Sequence, residues 1–375
     1  MPDIDRDEPS TGPGGAMPHT PAAKRWAAFA RSAAVVVAVF AAGLCGGLAA
    51  RWIGMPLPFI LGPLFVIGAF GLAGLEVQVV RRIRPAGQFV TGSAVGAQFT
   101  QAVMLKLLAL LPLILGASVF AVFVCAVAAL ILMKLMDIDE KSAFFATMPA
   151  GAAEMANIAL RYGGLIEPIT IAQTMRVALT VTAAPFLVYH FSDHPDLQTI
   201  SQAPLLPWAS IGLLAVGALV LGFAFSRVKF PNSWFLGALI ASASLGASGF
   251  IGGRLPDWAL TGAQVLIGCS LGAQFRKEFV TRLFRLMLCS LVAVLFSGCT
   301  LALTGALVAY LLNYPVPTMV LALAPAGIAE MTLTGKVLGL DAALIAGFHL
   351  LRIIMVLVLC VPAFRLFQWA IGARA

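Results

Sequence analysis

Between Lys106 and Lys134 the chain runs for 27 residues, Leu107 to Met133, without one charged side chain. A helix crossing the hydrocarbon of a bilayer needs about 20 such residues, because no water is there to satisfy backbone groups that the helix leaves open. Apolar runs of this kind recur along almost the whole sequence. The expected fold class is therefore an all-α polytopic membrane protein. Composition agrees, with 61% of residues hydrophobic and only 11% charged, roughly half the charge of a soluble protein. The 36 glycines and 22 prolines lie largely inside the apolar runs, where membrane helices tolerate them.

The net charge of +8 is no sign of nucleic-acid binding, because no basic helix or soluble domain exists to make that contact. The lysines and arginines cluster at the ends of apolar segments, where they set topology. None of the six cysteines forms a CxxC pair, and all lie in apolar segments, so they read as small packing residues. Residues 1–31 begin with a stretch rich in proline, glycine and mixed charge and are expected to form a disordered cytoplasmic tail. Met1 and Met17 both qualify as starts, and the run from Ser32 to Ala50 reads as a retained first helix.

The chain contains itself twice. A shift of 176 residues lays Gly92-Ser-Ala-Val-Gly96-Ala97-Gln98-Phe99 on Gly268-Cys-Ser-Leu-Gly272-Ala273-Gln274-Phe275, and Pro149-Ala150-Gly151-Ala-Ala-Glu154-Met155 on Pro325-Ala326-Gly327-Ile-Ala-Glu330-Met331. The same shift places Arg176 on Arg352. The first repeat spans 32–190 and the second 208–370, joined by an acidic linker at 191–207. Each holds six apolar segments, the fifth of them short and interrupted by Pro-Ala-Gly.

Whether that short segment crosses decides the topology. If both short segments re-enter and the N-terminus is inside, 18 basic residues face the cytoplasm and four the far side, whereas six crossings per repeat divide them 12 to 10. Cytoplasmic loops collect Lys and Arg. The expectation is therefore two inverted repeats of five transmembrane helices, each with one re-entrant hairpin, in the inner membrane with both termini cytoplasmic and the linker periplasmic. Proline breaks the helix, and interrupted helices at matching places in two halves point to a transporter binding site.

The residues expected to carry chemistry follow from this. Glu154 and Glu330 are repeat-related carboxylates at membrane depth, functional candidates by default, and each falls in the first turn of a helix restarting after Gly151 or Gly327. Pro149 and Pro325 open the hairpin tips. Arg176 and Arg352 are the cations well inside spans, and salt-bridging to the glutamates is their expected role. Gln98 and Gln274 offer donors and acceptors to a polar cavity, while the glycines before them form GxxxG faces for close helix contact. Asn157 shares the face of Glu154; Thr334 supplies a polar group in the second copy, and Gln173 and His349 match in position but not in type. No metal site is expected. His190, Asp193 and His194 in the linker read as solvated loop residues.

The paired PAG-x-AEM and GAQF motifs, with the LGPL and LGAL segments, resemble those of the AbrB-duplication membrane family over nearly all of residues 32–370. Members carry labels of ammonia monooxygenase or regulator of gene expression, although nothing in these residues supports oxygenase chemistry. The resemblance implies an architecture similar to glutamate–sodium and citrate–sodium symporters, a mobile core against a scaffold. The function expected is ion-coupled secondary transport of a small anionic organic solute, with Na⁺ or H⁺ as coupling ion and no other cofactor. A cation/proton antiporter and a membrane sensor acting indirectly on gene expression are the alternatives. The expected partners are the solute and the lipid bilayer, with no nucleic acid; a homodimer stays open.

Overall fold

The computed structural model of the chain describes residues 22–75, 77, 83–191, 204–281 and 283–372. The first part of the tail and most of the 191–207 linker, with Asp193 and His194, lie outside them. Sixteen helices form among the described residues, eight in each copy and in the same order. The first eight are α1 (Ala22–Trp52), α2 (Pro58–Leu72), α3 (Arg84–Gly96), α4 (Gln101–Ala109), α5 (Leu111–Met136), α6 (Glu140–Thr147), α7 (Ala152–Arg161) and α8 (Ile166–Phe191). The second eight are α9 (Trp208–Arg227), α10 (Ser233–Ala247), α11 (Asp257–Gly272), α12 (Lys277–Thr281), α13 (Phe284–Leu312), α14 (Val316–Leu323), α15 (Ile328–Val337) and α16 (Ala342–Ala370).

Six of these helices (α1, α5, α8, α9, α13 and α16) are long and apolar enough to cross a membrane, and α2 and α10 are shorter apolar helices. The first helix starts at Ala22, ahead of the boundary expected at Ser32. The third apolar segment of the first copy is not continuous helix: α3 stops at Gly96, and Thr100 caps a separate α4 by accepting a hydrogen bond from the Val103 N–H at 3.3 Å. The outward faces of α5 and α13 carry exposed Phe123 and Leu303, as helices facing lipid do.

The duplication is written into the backbone as well. Leu57 and Asn232, which cap α2 and α10, both adopt the left-handed conformation at φ 49°, and Asp137 and Asn313 after α5 and α13 both adopt it at φ 52°. Left-handed φ in a non-glycine residue is uncommon, and these pairs differ in residue type, so sequence comparison does not find them.

The copies interlock through the GxxxG faces. α3 lies on α10 so closely that a Cβ added at Gly92 would stand 2.3 Å from the Phe235 carbonyl oxygen, and one at Gly96 2.5 Å from that of Leu239. Equivalently, α11 lies on α2: a Cβ at Gly268 would stand 2.4 Å from the Ile60 oxygen and one at Gly272 2.8 Å from the Leu64 oxygen. Only glycine permits such backbone approach. α5 packs on α13 between the copies, α8 on α13 and α16 on α5.

The short segments break where expected. α6 ends at Thr147 and α7 begins at Ala152; α14 ends at Leu323 and α15 begins at Ile328. Asp139 starts α6 by accepting from the Ser142 N–H at 2.9 Å, and Asp341 starts α16 the same way at Leu344, which satisfies donors a helix start leaves open. α7 then folds back along α6, so that the Leu165 N–H donates to Ser142 Oγ at 2.7 Å. Both ends of the first hairpin thus lie together. Its base is fixed to the other copy by Phe144 and Phe145 against Phe364 of α16, with ring centroids 5.3 and 4.9 Å apart.

Candidate functional site

Breaking a helix leaves carbonyls without their i+4 donors. In the first hairpin, buried Arg176 on α8 gives Nη1 to the Met148 carbonyl and Nη2 to that of Ala150 at 2.7 Å, and Gln173 one turn earlier donates Nε2 to Met148 O at 3.0 Å. In the second, buried Arg352 on α16 gives Nη1 to Ala324 O at 2.6 Å and Nη2 to Ala326 O at 2.9 Å. His349 holds Leu321 O at 2.9 Å through Nε2, while its Nδ1 accepts from Arg352 Nη2 at 2.7 Å. A nitrogen that accepts from a guanidinium carries no proton, so the ring is the neutral tautomer with Nε2–H. The expected salt bridges from Arg176 and Arg352 to the glutamates therefore do not form. The orphan carbonyls at the negative end of each first half-helix, neutral groups with partial negative charge, take the guanidinium instead, and its fork spans two of them. Thr147, the last residue of α6, donates Oγ1 to the Cys125 carbonyl at 2.8 Å, which sets the first hairpin against the middle of α5.

The glutamates sit on the other limb. Each is the third residue of its helix, and its carboxylate folds back over the N-cap glycine: a Cβ at Gly151 would lie 1.9 Å from Glu154 Oε2, and one at Gly327 2.0 Å from Glu330 Oε2. The space a side chain would fill is taken by the carboxylate, and the positive helix end favours it there. From this point the halves differ. Glu330 is 2% exposed and paired with Nη2 of Arg84, the first residue of α3 in the other copy. Glu154 is half-buried and makes no hydrogen bond or ion pair among the described residues. Leu260 stands at the place that matches Arg84.

Pro149 and Pro325 lie in the tips. Asn157 is exposed on α7, whereas Thr334 on α15 is fully buried with an Oγ1 that makes no hydrogen bond. Gln98 and Gln274 are half-buried past the ends of α3 and α11 and make no hydrogen bond to either hairpin. The residue that sequence reasoning missed is Arg84, counted among the basic residues of a cytoplasmic loop. Its only signal is negative: it follows Arg81 and Arg82 but, unlike them, precedes a proline, the N1 signature of a helix start.

The family described as transition state regulatory protein AbrB matches the chain twice, over residues 9–162 and 59–368. The chain is similar to the uncharacterized protein YhjN of Bacillus subtilis (strain 168), 26% identical over 356 residues, which cover 88% of this chain and 92% of that one. It is also similar to a protein of Escherichia coli (strain K12) named provisionally as regulator AbrB, 26% identical over 311 residues, covering 81% of this chain and 88% of its relative. With matches that run over most of its length and overlap as two copies do, this chain belongs to the AbrB family.

Proposed function

We propose that the protein is an ion-coupled secondary transporter of a small anionic organic solute, working by alternating access around the two hairpins. The observation that carries this reading is the pair of broken helices. Their tips are held by buried Arg176 and Arg352, and each of their second limbs opens with a carboxylate. Irregular backbone and ionised groups at membrane depth are expensive and persist where they line a solute or ion path.

The reading includes opposed repeats of five crossings each, in the inner membrane, with both termini cytoplasmic. Two facts support it. The ends of the first hairpin meet at Ser142 and Leu165, as those of a re-entrant segment must. Helices α2 and α11 run in the same direction, since Ile60, Leu64 and Gly71 follow one another along α2 as their neighbours Gly268, Gly272 and Phe275 do along α11 and just past its end. Successive crossings such as α2 and α3 run oppositely, so copies of like orientation would make α2 and α11 antiparallel. No catalytic step and no cofactor beyond Na⁺ or H⁺ enter this reading.

The test is uptake by proteoliposomes holding the purified chain, with a panel of mono-, di- and tricarboxylates and imposed Na⁺ or proton gradients. Saturable, gradient-dependent accumulation of one of them is expected. Cation exchange without any organic solute would favour an antiporter. Absence of all flux, with altered gene expression on deletion, would favour a sensor.

A further inference from the structure

The limb α15 is buried along its length from Ile328 to Lys336, whereas α7 exposes Ala152, Ala153, Asn157, Leu160 and Arg161. α15 packs on α16, as α7 does on α8, and in addition on α3 of the other copy, to which the Arg84–Glu330 pair ties it. This pair leaves valences unused. Arg84 Nε is buried without a partner, and it lies on the same edge of the guanidinium as the Nη2 that Glu330 takes. Glu330 fills half of that edge only, because its other oxygen is turned over Gly327. One turn further along the same face of α15, the fully buried Thr334 hydroxyl is also unpaired. Buried polar atoms without partners are rare, and each needs a reason. Here two of them, a donor and a hydroxyl, flank a carboxylate that binds its arginine through one contact where two are on offer.

We propose that the Arg84 Nε/Nη2 edge is the recognition site for the carboxylate of the transported solute, and that Glu330 is its built-in competitor. The proposal rests on the transport reading above. A solute carboxylate fits the edge in the bidentate mode that is stronger than a single contact, and the Thr334 hydroxyl reaches a polar group beside it. Binding of the solute releases Glu330. A carboxylate at this depth stays ionised only if it is partnered, so Glu330, once released, takes up the coupling cation, Na⁺ or a proton. Solute and cation then enter together because each balances one charge of a former ion pair. The second limb of the hairpin is then released from its tie to α3. For the first hairpin the matching place is held by Leu260 of the second copy, so the competition belongs to one hairpin alone.

The test uses the full chain, with citrate, succinate and glutamate as probes, read by thermal shift and by proteoliposome uptake across a series of Na⁺ concentrations and pH. Arg84→Gln alone strands Glu330, so Arg84→Gln/Glu330→Gln, which removes both charges together and leaves polar groups in their place, serves as the folded comparison. It is expected to weaken response to the active carboxylate at least about tenfold. Glu330→Gln, which removes the competitor's charge, is expected to bind that carboxylate more tightly and with little dependence on Na⁺ or pH. Thr334→Val is expected to lower affinity and to leave the ion dependence in place. Wild-type carboxylate affinity in the double variant, or unchanged ion dependence in Glu330→Gln, overturns the proposal while the carrier reading stands. So does transport of a neutral or cationic solute. If the wild-type chain moves no solute, the carrier reading itself fails and takes this one with it.

Discussion

Arg176 and Arg352 occupy the same place in the two copies and perform the same task, each donating Nη2 to the carbonyl of the alanine in its hairpin tip, Ala150 at 2.7 Å and Ala326 at 2.9 Å. Each pair ties a broken helix to the long helix that follows it in sequence. Each hairpin is therefore anchored at its tip to its own long helix, while its glutamate lies on the other limb. The arginines are positioning residues, and their contribution is to the shape of the tips.

From this it follows that charge alone will not replace them. Lysine at 176 or 352 keeps the charge but cannot span two carbonyls. Arg352→Lys is expected to lower stability in detergent by about 1–3 kcal/mol, the cost of one buried carbonyl left open, and to raise the reactivity of a cysteine placed at Ala326. A thermal unfolding series together with maleimide labelling checks this; an unchanged melting temperature would show that the carbonyls find other donors.

The glycines at the N-caps of α7 and α15 give an asymmetric prediction. Alanine at either site drives the glutamate carboxylate out of its place. In Gly151→Ala the half-buried Glu154 has space to swing away, and a loss under about 1 kcal/mol is expected. In Gly327→Ala the buried Glu330 has none, and about 1–3 kcal/mol is expected from overpacking. Equal losses in the two variants would contradict the different environments of the hairpins.

Accessibility should differ in the same sense. In a background without the six native cysteines, Asn157→Cys on exposed α7 should react quickly with a membrane-impermeant maleimide. Leu333→Cys, its counterpart on buried α15, should react at least about tenfold more slowly, because reaction there requires local opening. Comparable rates would mean that α7 faces lipid instead of water.

The interlock of the copies predicts a further contrast. Gly92→Ala and Gly268→Ala force α3 from α10 and α11 from α2, and each should cost about 1–3 kcal/mol. Gly116→Ala in α5 meets no atom within 4 Å and should be neutral or stabilising by up to about 1 kcal/mol. Melting temperatures of the three variants, measured in one detergent, decide it.

Orientation is tested by reporter fusions at Asp196 and Ala375, which opposed repeats put on opposite sides of the membrane. Finding both on one side would remove the basis for re-entrant hairpins.

Much of this was legible in the sequence, for reasons that can be named. Pro149 and Pro325 lack a backbone donor, and Gly151 and Gly327 follow within two residues, so the helix breaks could be placed to within a few positions. The GxxxG faces could be read because a missing side chain acts wherever backbones approach. The arginine partners could not be read. Opposite charge suggested Glu154 and Glu330, but the carbonyls released by the same helix breaks lay nearer, and backbone acceptors leave no mark in a sequence.

Sequence alone determined that the chain is helical, apolar and duplicated, and which residues break its helices, because hydropathy, proline chemistry and repetition are local properties carried by each segment. It also fixed that Arg84 has no twin. Only the tertiary structure decided that α3 starts at Arg84 and that this arginine meets Glu330, 246 positions away, while Glu154 meets no partner among the described residues. The physical reason is that two nearly identical hairpins differ in what packs against them. The desolvation and pairing that set a buried charge depend on neighbours brought together by folding and not on neighbours along the chain.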